Sequence, residues 1–187
     1  MKIGILISGS GSNMIKLIES CQNSKNAFIE IVISNNPDAK GIEYAKLKNI
    51  KTKVIDHKEF SEREDFDNKV HEVLLKNNVD FLCNAGFMRI HGEKFVEKWF
   101  NKHLNIHPSL LPKFKGLNTF SRVIKNKEIK SGCTVHFVNE KIDNCKIIVQ
   151  KFFFINEYDK ENDIKIKTQK LEYLAFPESI IKLYRNN

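Results

Sequence analysis

Lys2–Ser8 (KIGILIS) is an apolar run that ends in Gly9-Ser10-Gly11-Ser12-Asn13, and an amphipathic stretch, Asn13–Gln22, follows at once. An apolar run closed by a glycine turn and continued at a helical period is what a buried parallel strand and its crossover helix require. The alternation returns along the chain. Phe28–Ser34 (FIEIVIS) reads as a second strand closed by NNPDAKG, Gly41–Lys48 as a short helix, Thr52–Asp56 as a third strand and Ser61–Asn77 as a longer helix. Ser61 is expected to cap that helix and Glu64 to return the bond, forming a capping box. Val79–Asn84 reads as a fourth strand and Leu104–His107 as the end of a fifth. Beyond it the pattern changes. Cys133–Val138 and Lys146–Phe154 read as consecutive, antiparallel strands, and Asp163–Tyr184 as a helix interrupted or re-entered at Pro177. These features imply an α/β fold with a largely parallel sheet. Without a repeat or a low-complexity linker, a single domain over residues 1–187 is expected.

The hydrophobic share of 41% and charged share of 29% are those of a soluble globular protein. The chain has no apolar run of about 18 residues, so no membrane span is expected. The start, MKIGILISGSGSN, has a lysine and a short apolar run like a signal peptide. The run is too short and enters a Gly-Ser turn directly, so a first strand is the better reading and a cytoplasmic protein is expected. Cys21, Cys83, Cys133 and Cys145 include no CxxC pair, which predicts reduced buried thiols rather than a disulfide framework or a zinc site. The net charge of +8 is compatible with nucleic acid, with small anionic substrates, or with compositional drift. Because that charge is spread from Lys2 to Arg185 with no dense block, nucleic acid is not expected as a partner.

Four segments could carry chemistry. In Ser8–Asn13 (SGSGSN) the glycines allow a tight turn, and the amides opening the next helix favour an anion such as a phosphate. An ordinary Gly-rich turn is the alternative. It is not the dinucleotide fingerprint, because Met14 stands at the third glycine position. In Asn105-Ile106-His107-Pro108 the proline holds His107 extended, so Asn105 and His107 project from one side of a strand end. An amide donor stabilises a developing oxyanion and an imidazole moves a proton, the two needs of acyl transfer. A merely hydrogen-bonded core histidine stays open as the alternative, and His136 and His103 read as structural. Asp143 falls in a turn between the late strands, where a carboxylate could orient an imidazole or simply be solvated. Gly86-Phe87-Met88-Arg89-Ile90 follows the fourth strand and suits a flat heteroaromatic ligand, with loop packing as the alternative.

Taken together, SGSGSN, AGFMRI, LNIHPSLLPKFKG, GCTVHFV and IDNCKIIVQ resemble, in order and spacing, the glycinamide ribonucleotide transformylase family of folate-dependent formyltransferases. The resemblance runs from Met1 to about Tyr184. It implies a single Rossmann-like domain with a mostly parallel twisted sheet, helices on both faces and an antiparallel C-terminal extension. The implied activity is transfer of a formyl group from the co-substrate 10-formyltetrahydrofolate to glycinamide ribonucleotide in purine synthesis, without a metal, a nucleic acid partner or a membrane, by a monomer or homodimer. Asn105, His107 and Asp143 would be catalytic. Gly11, Ser12, Asn13, Gln169 and Glu172 would hold the ribonucleotide. Arg63, Met88, Arg89, Ile90, His91, Asn105, Asn139, Glu140, Lys141 and Ile142 would line the folate pocket. His91 stands where the family usually has leucine, so its main chain alone carries over. Asn144 and Cys145 replace two small residues, the second a glycine, after the catalytic acid. The alternatives are a 10-formyltetrahydrofolate hydrolase, whose extra leading domain is not expected here, and a degenerate folate- or nucleotide-binding module. A formyltransferase acting on methionyl-tRNA would need a further C-terminal RNA-binding domain, which is not expected here.

Overall fold

The computed structural model describes residues 1–139 and 146–185. In chain order the elements are β1 (Lys2–Ile7), α1 (Ser12–Cys21), β2 (Phe28–Ser34), α2 (Gly41–Leu47), β3 (Lys51–Val54), α3 (Arg63–Lys76), β4 (Phe81–Asn84), α4 (Glu93–Lys98), β5 (His103–His107), α5 (Thr119–Lys125), β6 (Lys130–Phe137), β7 (Ile147–Phe154) and α6 (Glu161–Arg185). Seven strands, mostly parallel with an antiparallel last pair, make this an α/β fold. The chain divides into two compact units, Met1–Leu104 and Asn105–Asn187.

In the first unit β1 pairs in parallel with β2 and with β4, and β2 with β3. Ile3–Ile7 of β1 are all buried, the burial of a central strand covered on both faces. β3 is the edge of the sheet and is mostly exposed, with Lys51 and Lys53 on it. Charged side chains there discourage pairing with another chain. Leu6, Ile31, Ile33, Phe66, Val70, Leu74, Leu82, Phe87 and Trp99 belong to one buried cluster. The Phe66 and Phe87 rings stack within it, 6.4 Å apart.

In the second unit β6 and β7 pair antiparallel, with Lys130 opposite Phe154 and Val135 opposite Val149. Seven successive residues of β6, Ser131–Phe137, are buried. Gly132 meets β7 so closely that a Cβ there would stand 2.0 Å from the Lys151 carbonyl oxygen and 2.8 Å from the Phe152 Cα.

Two local expectations fail. The capping box does not form, because α3 opens at Arg63 and its N-cap, Glu62, makes no side-chain cap bond. Glu64 and Asp65 lie in the first turn, where their charge already complements the helix dipole. The Glu64 carboxylate instead accepts from Lys94 of α4 at 2.6 Å. Nor does Pro177 interrupt the last helix, which is continuous through it. A proline inside a helix costs about 3 kcal/mol. Phe176 and Ile180 beside it are buried, and burying each such side chain contributes about 2 kcal/mol, so continuity wins. The short helices α4 and α5 have no counterpart among the sequence expectations.

Cys21, Cys83 and Cys133 are buried free thiols, as expected; Cys145 lies outside the described residues. Among the described residues no helix is long and apolar enough to cross a membrane.

His71 of α3 lies edge-on to Trp99 at 5.9 Å, and burial, then the nearby Lys98 charge, push its imidazole below the usual range. The unfolded chain therefore binds this proton more readily, so stability falls as pH drops below about 6.5, the unperturbed histidine value. The His71→Phe variant is expected to lose melting temperature less steeply than the parent between about pH 6.5 and 5; parallel slopes would remove His71 from the acid response. Gly132→Ala is expected to lose at least about 2 kcal/mol in urea unfolding, because the obstructing atoms are backbone and cannot rotate away.

Candidate functional site

In the first unit the polar groups gather beyond the carboxyl ends of β1, β2 and β4. The turn after β1 closes on Gly11, the N-cap of α1, at φ 70°. Only glycine takes that angle at no cost, and a Cβ there would also press on Met14 Cε at 2.9 Å. α1 starts with no side-chain cap bond at its N-cap and no acidic residue in its first turn. Ser12 is half-buried and Asn13 buried at that start.

Ser8 joins the three strand ends. Its hydroxyl donates to Asn35 Oδ1 at 2.6 Å and accepts from the Met88 N–H at 2.8 Å, while its own N–H donates to the Gly86 carbonyl at 3.1 Å. The segment after β4 is thereby pinned at Met88. Its far end is pinned by Asp67 of α3: one carboxylate oxygen accepts from His91 Nδ1 at 2.7 Å, the other from the Gly92 N–H at 2.6 Å. Between these points Met88 and Ile90 are exposed and the Arg89 guanidinium lies 5.9 Å from the Phe66 ring. Phe87 turns into the core rather than toward a ligand. The His91 side chain is likewise internal, stacked between Phe87 at 5.0 Å and Phe95 at 4.2 Å, which leaves its main chain as the accessible part. Arg63 is exposed at the first residue of α3.

In the second unit Asn105 and His107 stand at the end of β5 as expected, the first half-buried and the second buried. Asn105 Nδ2 is 3.3 Å from His136 Nε2, and His136 Nδ1 is 2.8 Å from the Phe137 carbonyl. A carbonyl only accepts, so His136 donates from Nδ1, and its neutral ring receives the Asn105 amide at Nε2. That fixes which way the carboxamide points. His107 Nε2 donates to the Phe114 carbonyl at 2.9 Å. The turn between them is tied to β6: the Leu111 N–H donates to Thr134 Oγ1 at 3.1 Å, and that hydroxyl donates to the Ser109 carbonyl at 2.7 Å. Gln169 and Glu172 are half-buried on α6. Burial, and then the Glu172 carboxylate, push the Cys133 thiol up to about 12. Asn139 is half-buried at the end of the first described segment, whereas Glu140, Lys141, Ile142 and Asp143 lie outside the described residues. Among the described residues no group of three or more histidine, cysteine, aspartate or glutamate side chains is placed to hold a metal ion.

Asp67 lies in no sequence motif, while Ser8 and Phe114 lie in motifs without a role of their own there and His136 read only as structural. For His136 a signal existed, since Thr134 and His136 alternate on one face of an unmistakable strand.

Residues 1–180 match the family model described as formyl transferase. The chain belongs to the formyl transferase family. It is 40% identical over 177 residues to the phosphoribosylglycinamide formyltransferase of Haemophilus influenzae, covering 94% of this chain and 84% of that protein. It is 42% identical over 182 residues to the trifunctional purine biosynthetic protein adenosine-3 of Chironomus tentans, covering 96% of this chain but only 13% of that much longer one. The solved phosphoribosylglycinamide formyltransferase of Coxiella burnetii superimposes with a TM-score of 0.94 at 34% identity, covering 100% of this chain and 88% of that one. Within the formyl transferase family this chain thus has a whole-length structural counterpart.

Asp67→Ala should lose about 3 kcal/mol in urea unfolding, because it strands the buried His91 imidazole and the Gly92 amide together. Adding His91→Leu to it should cost at least about 1 kcal/mol less than His91→Leu costs alone, since the shared bond is already gone. Strict additivity would mean that the two side chains do not hold each other.

Proposed function

We propose that this chain is a phosphoribosylglycinamide formyltransferase that moves a formyl group from 10-formyltetrahydrofolate to the amine of glycinamide ribonucleotide. The observation that carries the reading is the pair at the end of β5, a carboxamide and an imidazole two residues apart, each already oriented by a hydrogen bond. Membership of the formyl transferase family supports it, as do the names of the relatives.

The chemistry follows from what those groups can do. The substrate amine attacks the formyl carbon, a carbon–nitrogen bond forms, and the formyl oxygen takes up negative charge in a tetrahedral intermediate. Asn105 and a protonated His107 stabilise that oxygen. Asp143 keeps the imidazolium charged and, directly or through water, accepts the proton lost by the attacking amine. The bond to the folate nitrogen then breaks, and His107 passes a proton to that nitrogen as it leaves. Formyl and proton are conserved and no covalent enzyme intermediate forms. Gly11, Ser12 and Asn13 hold the ribonucleotide phosphate at the start of α1, where helix N–H groups and the macrodipole favour an anion, with Gln169 and Glu172 on the same substrate. Arg63, the main chain of Met88, Arg89, Ile90 and His91, Asn105, and the segment Asn139, Glu140, Lys141 and Ile142 line the folate pocket.

Purified protein mixed with glycinamide ribonucleotide and a 10-formyl folate is expected to release the deformylated pterin only when both are present. Release without the ribonucleotide would favour the hydrolase, and no release the binding module. His107→Ala and Asp143→Asn are each expected to lower turnover by at least about 100-fold, the low end for general acid–base groups; near-normal turnover in either would remove that residue from the mechanism.

A further inference from the structure

We propose that Arg122 is a positioning residue for His107, fixing the Phe114–Leu117 loop so that the Phe114 carbonyl keeps the imidazole in one orientation and one tautomer. This rests on the formyl-transfer reading of His107.

The bond from His107 Nε2 to the Phe114 carbonyl, at 2.9 Å, places the ring proton on Nε2. A neutral imidazole has one N–H, so Nδ1 becomes the nitrogen that gains and loses the working proton. The acceptor is an unusual one. Phe114 sits at φ 56°, and Gly116 and Asn118 follow at 74° and 55°. A phenylalanine avoids left-handed backbone, so the surrounding contacts must hold it there.

Arg122 of α5 supplies that hold. Its Nη1 donates to the Lys115 carbonyl at 2.6 Å and to the Leu117 carbonyl at 3.3 Å, and its guanidinium lies 5.4 Å from the centroid of the Phe114 ring. One cation thus grips the backbone on both sides of Gly116 and covers the ring of the strained residue. A planar guanidinium meets both demands at once, with hydrogens in its plane for the carbonyls and a flat face for the ring; an ammonium does not. The other end of the loop is tied separately, Ser109 Oγ donating to the Lys113 carbonyl at 2.7 Å. Removing Arg122 therefore loosens the part of the loop that carries the Phe114 carbonyl, leaving the rest anchored.

The test uses the full chain labelled with 15N in histidine, with the His107 signals assigned by their loss in His107→Asn. With the spectrum recorded at alkaline pH, where the ring is neutral, the parent is expected to show His107 as a single tautomer protonated at Nε2. In Arg122→Ala the shifts should move to those of mixed tautomers. Turnover should fall by about 10-fold or more, in the range for loss of a group that orients a working imidazole. The KM values should stay within about twofold, because the substrates lose no direct contact. Arg122→Lys should recover only part of both effects, and it carries the same readouts if Arg122→Ala does not fold. A single Nε2–H tautomer retained in the variants, turnover within about twofold of the parent in both, or loss of the fold in both would overturn the proposal. Because the tautomer is read without substrates, a parent that transfers no formyl group would refute the functional reading and leave this one still decided by the spectrum.

Discussion

A strand buried on both faces among apolar neighbours favours apolar side chains along its length, and in the first unit that constraint gathers polar groups at the strand ends. Ile3–Ile7 of β1 leave no room for a polar group, so the first one after them, Ser8, emerges where the chain must turn. Its hydroxyl then has the ends of β2 and β4 as neighbours and bonds to Asn35 and to the Met88 amide. Such bonds are each worth only about 1 kcal/mol net. Leaving these groups unpaired beside a fully apolar sheet would cost more, so the loops at the three strand ends settle as one network.

The long elements were legible because burial of that kind writes an apolar run directly into the sequence. β2 falls at the expected residues, and β1, α1, α2 and β4 lie within about two residues of expectation, inside the usual uncertainty of element ends. What was illegible had competing local solutions. α4 and α5 have six and seven residues, too few to display a helical period. At the start of α3 a serine cap competed with two acidic residues in the first turn, and the Glu64 carboxylate bonds Lys94, distant in sequence, rather than a backbone N–H. At Pro177 the local rule favoured a break, and the burial of Phe176 and Ile180 overrode it.

The candidate site divides in the same way. Asn105 and His107 could be recognised because a strand end before a proline puts two polar side chains on one side, a purely local fact. Which atom of each is engaged could not, since it depends on partners 31 and 7 positions away that only the register of β6 and the course of the loop bring near. His91 shows the reverse. Its identity departs from the family pattern, yet Asp67 and two phenylalanine rings absorb it, so the change alters the interior and spares the exposed face of the segment.

The carboxamide and the imidazole are held by supports of different kinds, one on a strand and one in a loop. Asn105 is oriented by His136, a buried residue of β6 at an irregularity in its pairing with β7, whose own tautomer is fixed by a backbone carbonyl. His107 is oriented by a carbonyl in a loop with three left-handed residues, held by Arg122 together with Ser109 on the Lys113 carbonyl and Thr119 on the Gly116 carbonyl. A donor that stabilises a developing oxyanion gains from being immobile, because any reorganisation subtracts from the stabilisation it gives. A group that takes a proton at one moment and returns it at another must keep one ring nitrogen engaged while the other changes its protonation, and the Phe114 carbonyl does that for Nε2. The strand support therefore falls under the group proposed only to stabilise charge, and the loop support under the one proposed also to carry the proton.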